Sequence, residues 1–380
     1  MRCVDEIAAG SGRVSFDAVE AFRIAVPMHE PFRISSGEVS LKEAILVKVR
    51  RGGAFGWGES SAMPGGFYSA DTPGACQEEL AGRLLPALAG RRFESMLALE
   101  QWLLAGGASA FSRVAVETAA WELLARERGI SVRALFGIPD RPIPSGLAVG
   151  LYSTDAELAA ALERLRPRDY CRLKIKIQRG HDVRLVLLVR ELLGDFPLFV
   201  DANADYGPAD FQVFRDLDAF ALMMFEQPFG KADLASAAAL GRECRTPVCL
   251  DESIGSLEDA RRAVQRGACR IVNIKLQRVG GYLEALRIVE FCAANAVPVW
   301  MGTMPELGVG SAQALAIAAH PAFAFPTDVE PSSRWYAGDV LAPKLCLHAG
   351  HLDVPAGPGL GFAVDEAAVE KYAAARWRFA

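Results

Sequence analysis

Five charged residues punctuate the middle of this chain at nearly constant spacing. Lys176, Asp201, Glu226 and Asp251 follow one another at 25-residue steps, and Lys275 comes 24 residues later. Each sits at or near the end of a short apolar run: 172–177, 197–203, 220–228, 247–253 and 270–275. Helix-like stretches lie between the runs. A strand-then-helix unit repeated at that length requires parallel strands joined by crossover helices. Continuous apolar runs such as Phe220 to Phe225 suit strands covered on both faces.

In a (β/α)8 barrel the carboxyl ends of the strands surround the mouth, so charge at those ends has a chemical meaning. One apolar segment, Ile143 to Tyr152, precedes the Lys174–Lys176 run, which makes the latter the second strand. Asp201, Glu226 and Asp251 then cap strands three, four and five, and Lys275 caps strand six. In a ring of eight, strands two and six face each other. Three carboxylates held together repel one another and call for a cation. Oxygen ligands without His or Cys favour Mg²⁺, with Mn²⁺ as the alternative, over Zn²⁺. A lysine on either side of a bound substrate suits removing and returning a proton at carbon, with the metal stabilising the enediolate.

This constellation resembles the enolase superfamily, whose sites pair a Lys or His base with Mg²⁺. Lys174-x-Lys176 on strand two and Lys275 on strand six resemble its muconate lactonizing enzyme subgroup. The resemblance covers nearly the whole chain. It implies Asp201, Glu226 and Asp251 as metal ligands and Lys176 and Lys275 as the acid/base pair. It also implies the fold: α/β, a modified TIM barrel, (β/α)7β, with an N-terminal α+β capping domain completed by the C-terminal segment. The expected divisions are 1–140 for the cap, 141–340 for the barrel and 341–380 for the returning segment.

Alternation along strand two points Lys174 and Lys176 the same way, into the barrel. Their mutual repulsion, the cation and burial are expected to lower the pKa of Lys176 toward a working base. Asn203, two residues after Asp201, is a candidate to orient the acids or bind a substrate carboxylate, and it also belongs to a good turn sequence. Glu252 is a candidate partner for Lys275 or Asp251.

The chain before the barrel reads as a frayed start up to Arg13, then three strands: Val14–Val26, Glu43–Arg50 and Ala54–Glu59. Loops are expected at Pro27–Gly37 and Ser60–Thr72, rich in Pro and Gly. His29 in the first is a candidate substrate contact. Helices are expected over Pro73–Leu88, Glu94–Leu104 and Arg113–Arg128. Later come helices at Asp182–Leu193 and Tyr282–Ala294, a helix start at Ser256, a seventh strand at Val297–Met301 and a weak eighth at Ala322–Val329. Gly302–Gly310 lacks the spacing and the Lys-Ser/Thr of a phosphate loop.

The segments Trp300–Gly310 and Asp328–Trp335, with Trp57–Glu59, resemble the o-succinylbenzoate synthase / N-acylamino acid racemase family. That resemblance places Met304 and Glu306 at the substrate pocket and implies substrates with a succinyl or acyl tail. Muconate-type cycloisomerisation, dipeptide epimerisation and acid-sugar dehydration are the alternatives within the superfamily. A binding protein that kept the barrel without turnover is the alternative outside it. No Asp-x-Asp stands at Asp328, where dipeptide epimerases carry one. Thr303, Pro305, Leu307 and Ala148 depart from the family pattern and bear on the substrate alone.

Composition agrees with a globular small-molecule enzyme. The 380 residues are 51% hydrophobic and carry 41 basic and 46 acidic groups, a net charge of −5. No basic patch points to nucleic acid. Eight scattered cysteines without a C-x-x-C pair read as reduced thiols. With no long apolar run, a cytoplasmic location without membrane contact is expected, as a homo-oligomer.

Overall fold

Seven parallel strands lie side by side in strict sequence order in one sheet. They are Leu147–Val149, Leu173–Lys176, Leu198–Asp201, Phe225–Glu226, Val248–Leu250, Ile271–Ile274 and Val299–Met301. In this computed structural model residues 3–34, 37–66 and 68–380 are described. Helices Asp155–Leu165, Asp182–Leu193, Phe211–Leu217, Leu234–Glu243, Leu257–Gln265 and Tyr282–Ala294 connect successive strands. The sheet curls into a modified TIM barrel.

The expected eighth strand, Ala322–Val329, is not a regular strand. It closes the ring through isolated bridges, Val299 with Phe323 and Ser145 with Thr327. Ala324 N–H donates to Val299 O, and Gly146 N–H donates to Thr327 O, so the segment touches both edges. Two prolines, Pro321 and Pro326, remove ladder donors there. The fourth strand is also shorter than its apolar run. Phe220 ends a 3₁₀ turn and Ala221 takes a left-handed φ of 50°. Only Phe225–Glu226 pair in register on both sides. The apolar run reflected burial around the bend as well as strand.

The barrel floor is packed by Phe199, Met224, Cys249, Ile271 and Trp300. Arg172 is fully buried there, its guanidinium 4.8 Å from the Phe199 ring centroid and 5.4 Å from that of Trp300. Stacking on two rings and an ion pair with Asp328 compensate that buried charge.

The cap is a four-stranded antiparallel sheet in the order Ala373–Phe379, Ala18–Ile34, Gly37–Arg51, Ala54–Ser60. The C-terminal strand supplies the fourth member beside the three expected. The loop expected at Pro27–Gly37 is instead the far arm of a hairpin. Pairing shifts register between Pro27 and Phe32 and resumes as Phe32 with Val39. Pro27 and Pro31 fall at that irregularity, where missing N–H groups do least harm. Residues 35, 36 and 67 of the two expected loops lie outside the described residues. Within the segment expected to be frayed, Val4–Ala9 is instead a helix with Val4 and Ala8 buried, and Val4 N–H donates to Glu290 Oε1 at 2.8 Å.

The first long helix of the cap is broken in three. Pro73–Glu79 is α, Leu80–Leu84 is π and Leu85–Leu88 is α again. Pro86 removes an N–H from the ladder at that place. Met96–Ala105 and Ala110–Glu127 follow, close to expectation. The hairpin is tied to the barrel by Met28 bridging Tyr336 and by Leu151 N–H donating to Arg33 O.

Candidate active site

The strand registers decide where the charged ends go. Lys176 pairs with Asp201, and Asp201 pairs with Glu226, so three adjacent strands bring these side chains to one level. Lys174 lies one step deeper on the same face. Its Nζ is 2.7 Å from Glu226 Oε2, 3.0 Å from Asp201 Oδ2 and 3.1 Å from Asp328 Oδ2. Lys176 pairs with Asp201 alone. Lys275 follows strand six, and its Nζ is 2.8 Å from Asp251 Oδ2.

A cleft opens above these groups, between cap and barrel. Lys174, Lys176, Lys275, Asn203, Thr303 and Asp328 form its polar wall, and Phe32, Met63, Met304, Pro305 and Trp335 are among its apolar lining. About 480 Å³ there is free of protein atoms, open solvent at the mouth included.

Electrostatics follow from crowding. Burial works to raise the Asp201 pKa, but Lys174 and Lys176 outweigh it and hold this carboxyl below the usual range. Glu226 goes the other way, raised by burial and by the charge of Asp201. Burial works to lower the Lys275 pKa, but Asp251 outweighs it and the ammonium is held above its usual value.

Two regions of the chain match known families. Residues 157–368 match the enolase C-terminal domain-like family, and residues 18–137 match the mandelate racemase / muconate lactonizing enzyme N-terminal domain. The chain belongs to the enolase superfamily. An o-succinylbenzoate synthase of Geobacillus kaustophilus is 38% identical over 360 residues, 94% of this chain and 96% of that protein. An N-succinylamino acid racemase of Amycolatopsis is 38% identical over 351 residues, 92% of this chain and 95% of that protein. A crystal structure of an enolase-superfamily member from Listeria innocua is 33% identical with a TM-score of 0.90, covering 96% of this chain and 99% of that one.

Enzymes of the enolase superfamily depend on a divalent metal. Among the described residues no three His, Cys, Asp or Glu side chains converge closely enough to hold an ion as they stand. The ammonium of Lys174 lies between Asp201 and Glu226, and Asp251 is engaged by Lys275 and Arg278. The donor set nevertheless fits a hard cation. It is all oxygen. Asp201 and Glu226 already share one positive charge. Glu226 Oε2, although beside Lys174, accepts no hydrogen bond among the described residues.

Of the remaining expected residues, Asn203 both makes the turn and bonds Asp201. Its φ of 45° makes the turn. Its backbone N–H donates to Asp201 Oδ1 at 2.9 Å, and its amide donates to Asp201 Oδ2 and to Glu252 Oε1, each at 3.3 Å. Glu252 thus supports Asn203; the direct partner of Asp251 beside Lys275 is Arg278. Met304 is on the cleft wall. Glu306 lies behind it, with Oε1 accepting the Met304 N–H at 3.1 Å and burial raising its pKa to about 7. His29 has an exposed side chain off the cleft wall, and among the described residues its backbone N–H donates to Trp335 O. Ala148 lines the cleft, and its N–H donates to Glu330 Oε1 at 3.0 Å.

The contacts of four further residues escaped the sequence reading. Asn273 donates to Glu226 Oε1 at 2.7 Å; it stands two before Lys275, and strand alternation places both on one face. Arg278 is one helical turn beyond Lys275, where i, i+3 spacing brings it back to Asp251. Asp328 joins Arg172 to Lys174, and its irregular strand offered no register. Tyr68 reaches the cleft from the cap, within the segment Ser60–Thr72 expected as a loop.

Proposed function

We propose that the chain abstracts and returns the α-proton of a carboxylate substrate, as an o-succinylbenzoate synthase, an N-succinylamino acid racemase, or both. The carrying observation is that Lys176 and Lys275 line one cleft from strands four places apart in the sheet. One amine can take a proton at carbon while the other gives one back. Asp201, Glu226 and Asp251 would hold Mg²⁺ or Mn²⁺, which when bound supplies positive charge to a substrate carboxylate gaining electron density.

The rest belongs to the side chains. Asn203 orients Asp201, Asn273 orients Glu226 and Arg278 orients Asp251 through the hydrogen bonds and ion pair described above. Phe32, Met63, Met304 and Trp335 give the cleft an apolar wall that excludes water from the reacting carbon and would face an acyl tail. The curated relatives named above carry these two activities at 38% identity across almost the whole chain. No helix among the described residues is long and apolar enough to cross a membrane. A cytoplasmic homo-oligomer acting on a small molecule is part of the same reading.

The test uses each enantiomer of an N-succinyl amino acid in D₂O with Mg²⁺, for the wild type and for Lys176→Ala and Lys275→Ala. The wild type should deuterate both enantiomers at Cα. Each variant should lose racemisation by about 10²–10⁴-fold, and the two should fail on opposite enantiomers for α-exchange. Unchanged turnover in both variants removes the assigned roles.

A further inference from the structure

The Ala54–Ser60 strand is an edge of the cap sheet, so one side of its ladder needs partners from elsewhere. Side chains supply them. Trp57 N–H donates to Glu122 Oε2 at 2.6 Å, and Trp57 O accepts from Gln313 Nε2 at 3.1 Å. Farther along the same edge, Glu59 O accepts from Gln277 Nε2 at 2.9 Å, and Ser61 N–H donates to Gln277 Oε1 at 2.8 Å. Buried Gln277 thus offers its primary amide as a neighbouring strand would offer a peptide group, a donor and an acceptor together.

Gln313 and Gln277 make similar bonds from different places. Gln313 belongs to the helix Gly308–Ala318. Gln277 belongs to the short turn Leu276–Val279, whose N-cap is Lys275 itself. Arg278 fixes that turn to the barrel through Asp251, through Ile254 O at 2.7 Å and through Asn273 O at 2.6 Å. Arg113 of the cap holds its far end, donating to Val279 O at 3.1 Å. Gln277 joins the end beside Lys275 to the cap, at the segment that runs on to Met63 and Tyr68 of the cleft wall. A lysine carries its charge on a long flexible stem, so the placement of its ammonium depends on what fixes its backbone. Catalytic groups need that placement held to roughly 0.5 Å.

We infer that Gln277 is a positioning residue for Lys275: by pairing with the edge strand of the cap, it fixes the turn that carries the lysine against the cap side of the cleft. This rests on the α-proton chemistry proposed above and gives the cap a share in one direction of proton transfer, the one Lys275 performs. Lys176 stands four strands away in the sheet, so the two directions come apart when Gln277 is changed.

The experiment follows α-proton washout from each enantiomer of an N-succinyl amino acid in D₂O with Mg²⁺. It compares wild type, Lys275→Ala, Gln277→Met, Gln277→Glu and Gln313→Met. Lys275→Ala marks the enantiomer that this lysine deprotonates. Gln277→Met keeps the side-chain length and loses both bonds. It should slow washout from that enantiomer about 10-fold or more, as misplacing a reacting group does, and leave the other near wild type. Gln277→Glu keeps the acceptor for Ser61 N–H but sets an oxygen against Glu59 O. It should show the same split, and it decides the question if Gln277→Met does not fold. Gln313→Met loses the comparable bond to Trp57 O and should show no split. Equal loss on both enantiomers, or no loss, overturns the inference. So does the same split in Gln313→Met, which marks docking of the cap in general. Wild type without washout from any N-acyl amino acid overturns the functional reading itself, before any variant is compared.

Discussion

Lys174 Nζ stands 2.7 Å from Glu226 Oε2 and neutralises a carboxylate that has no hydrogen bond of its own at that oxygen. The same ammonium reaches Asp201 and Asp328, so one buried cation serves three buried acids. Removing a partner from such a network leaves charge uncompensated in a medium that solvates it poorly.

Lys174→Ala should therefore lose about 3–5 kcal/mol of stability in EDTA. Added Mg²⁺ should restore more stability to the variant than it adds to wild type, because the acids then share the metal's charge in place of the lysine's. Urea unfolding of both proteins, with EDTA and with millimolar Mg²⁺, reads this directly. Equal midpoints in EDTA would show that Lys174 is not the group that makes these acids tolerable.

Gly302 offers a sharper probe of the same acids. A Cβ built there would lie 2.3 Å from Asn273 Oδ1, closer than real contacts allow. Asn273 in turn donates to Glu226 at 2.7 Å. Gly302→Ala should push the amide off Glu226, lowering kcat by roughly 10-fold or more, as small misplacements of catalytic geometry do. Substrate KM should change less, since Gly302 is not on the cleft wall. A fully active Gly302→Ala enzyme would show that Asn273 has room to adjust or that Glu226 does not need it.

How much of this was legible beforehand depends on whether a feature was written locally. The 25-residue spacing exposed strands two to six because each carries its own apolar run and a charged end. Ser256 signalled a helix start, and its hydroxyl accepts the Asp259 N–H. The eighth barrel segment was faint because its pairing is two isolated bridges with no alternation to read. The Pro27–Gly37 arm read as a loop because its prolines do mark a break in pairing, while the pairing partners that resume beyond it lie in another strand. Arg278, Asp328 and Tyr68 reach the site through tertiary packing; the sequence marked the Asp328–Trp335 segment and the Ser60–Thr72 loop but not the contacts made there. Lys174 was expected to assist Lys176; its contacts are with Asp201, Glu226 and Asp328, and they depend on three different elements meeting.

The joint between cap and barrel carries its own titration. Glu117, on the cap helix Ala110–Glu127, accepts the N–H groups of Tyr282 at 2.8 Å and Leu283 at 3.1 Å, and so caps the barrel helix Tyr282–Ala294. Gly281 makes this approach feasible, since a Cβ there would meet Glu117 Oε2 at 2.3 Å. Trp121 Nε1 donates to the other oxygen at 3.0 Å. Even so, burial raises the Glu117 pKa to about 7. In the unfolded chain a glutamate titrates near 4.3, so between about pH 4.5 and 7 the folded state binds the extra proton. Stability from this group is then fully present below the lower value and is lost as pH rises through the upper one. Glu117→Gln lacks the titration. Other buried acids with raised pKa, such as Glu306 and Glu330, are common to both proteins and cancel in the difference. Wild type minus Glu117→Gln stability, from urea unfolding at pH 5 and pH 8, should fall by roughly 3 kcal/mol at about 1.4 kcal/mol per unit. A difference that instead rises with pH would mean that the three donors hold this carboxylate ionised across the whole range.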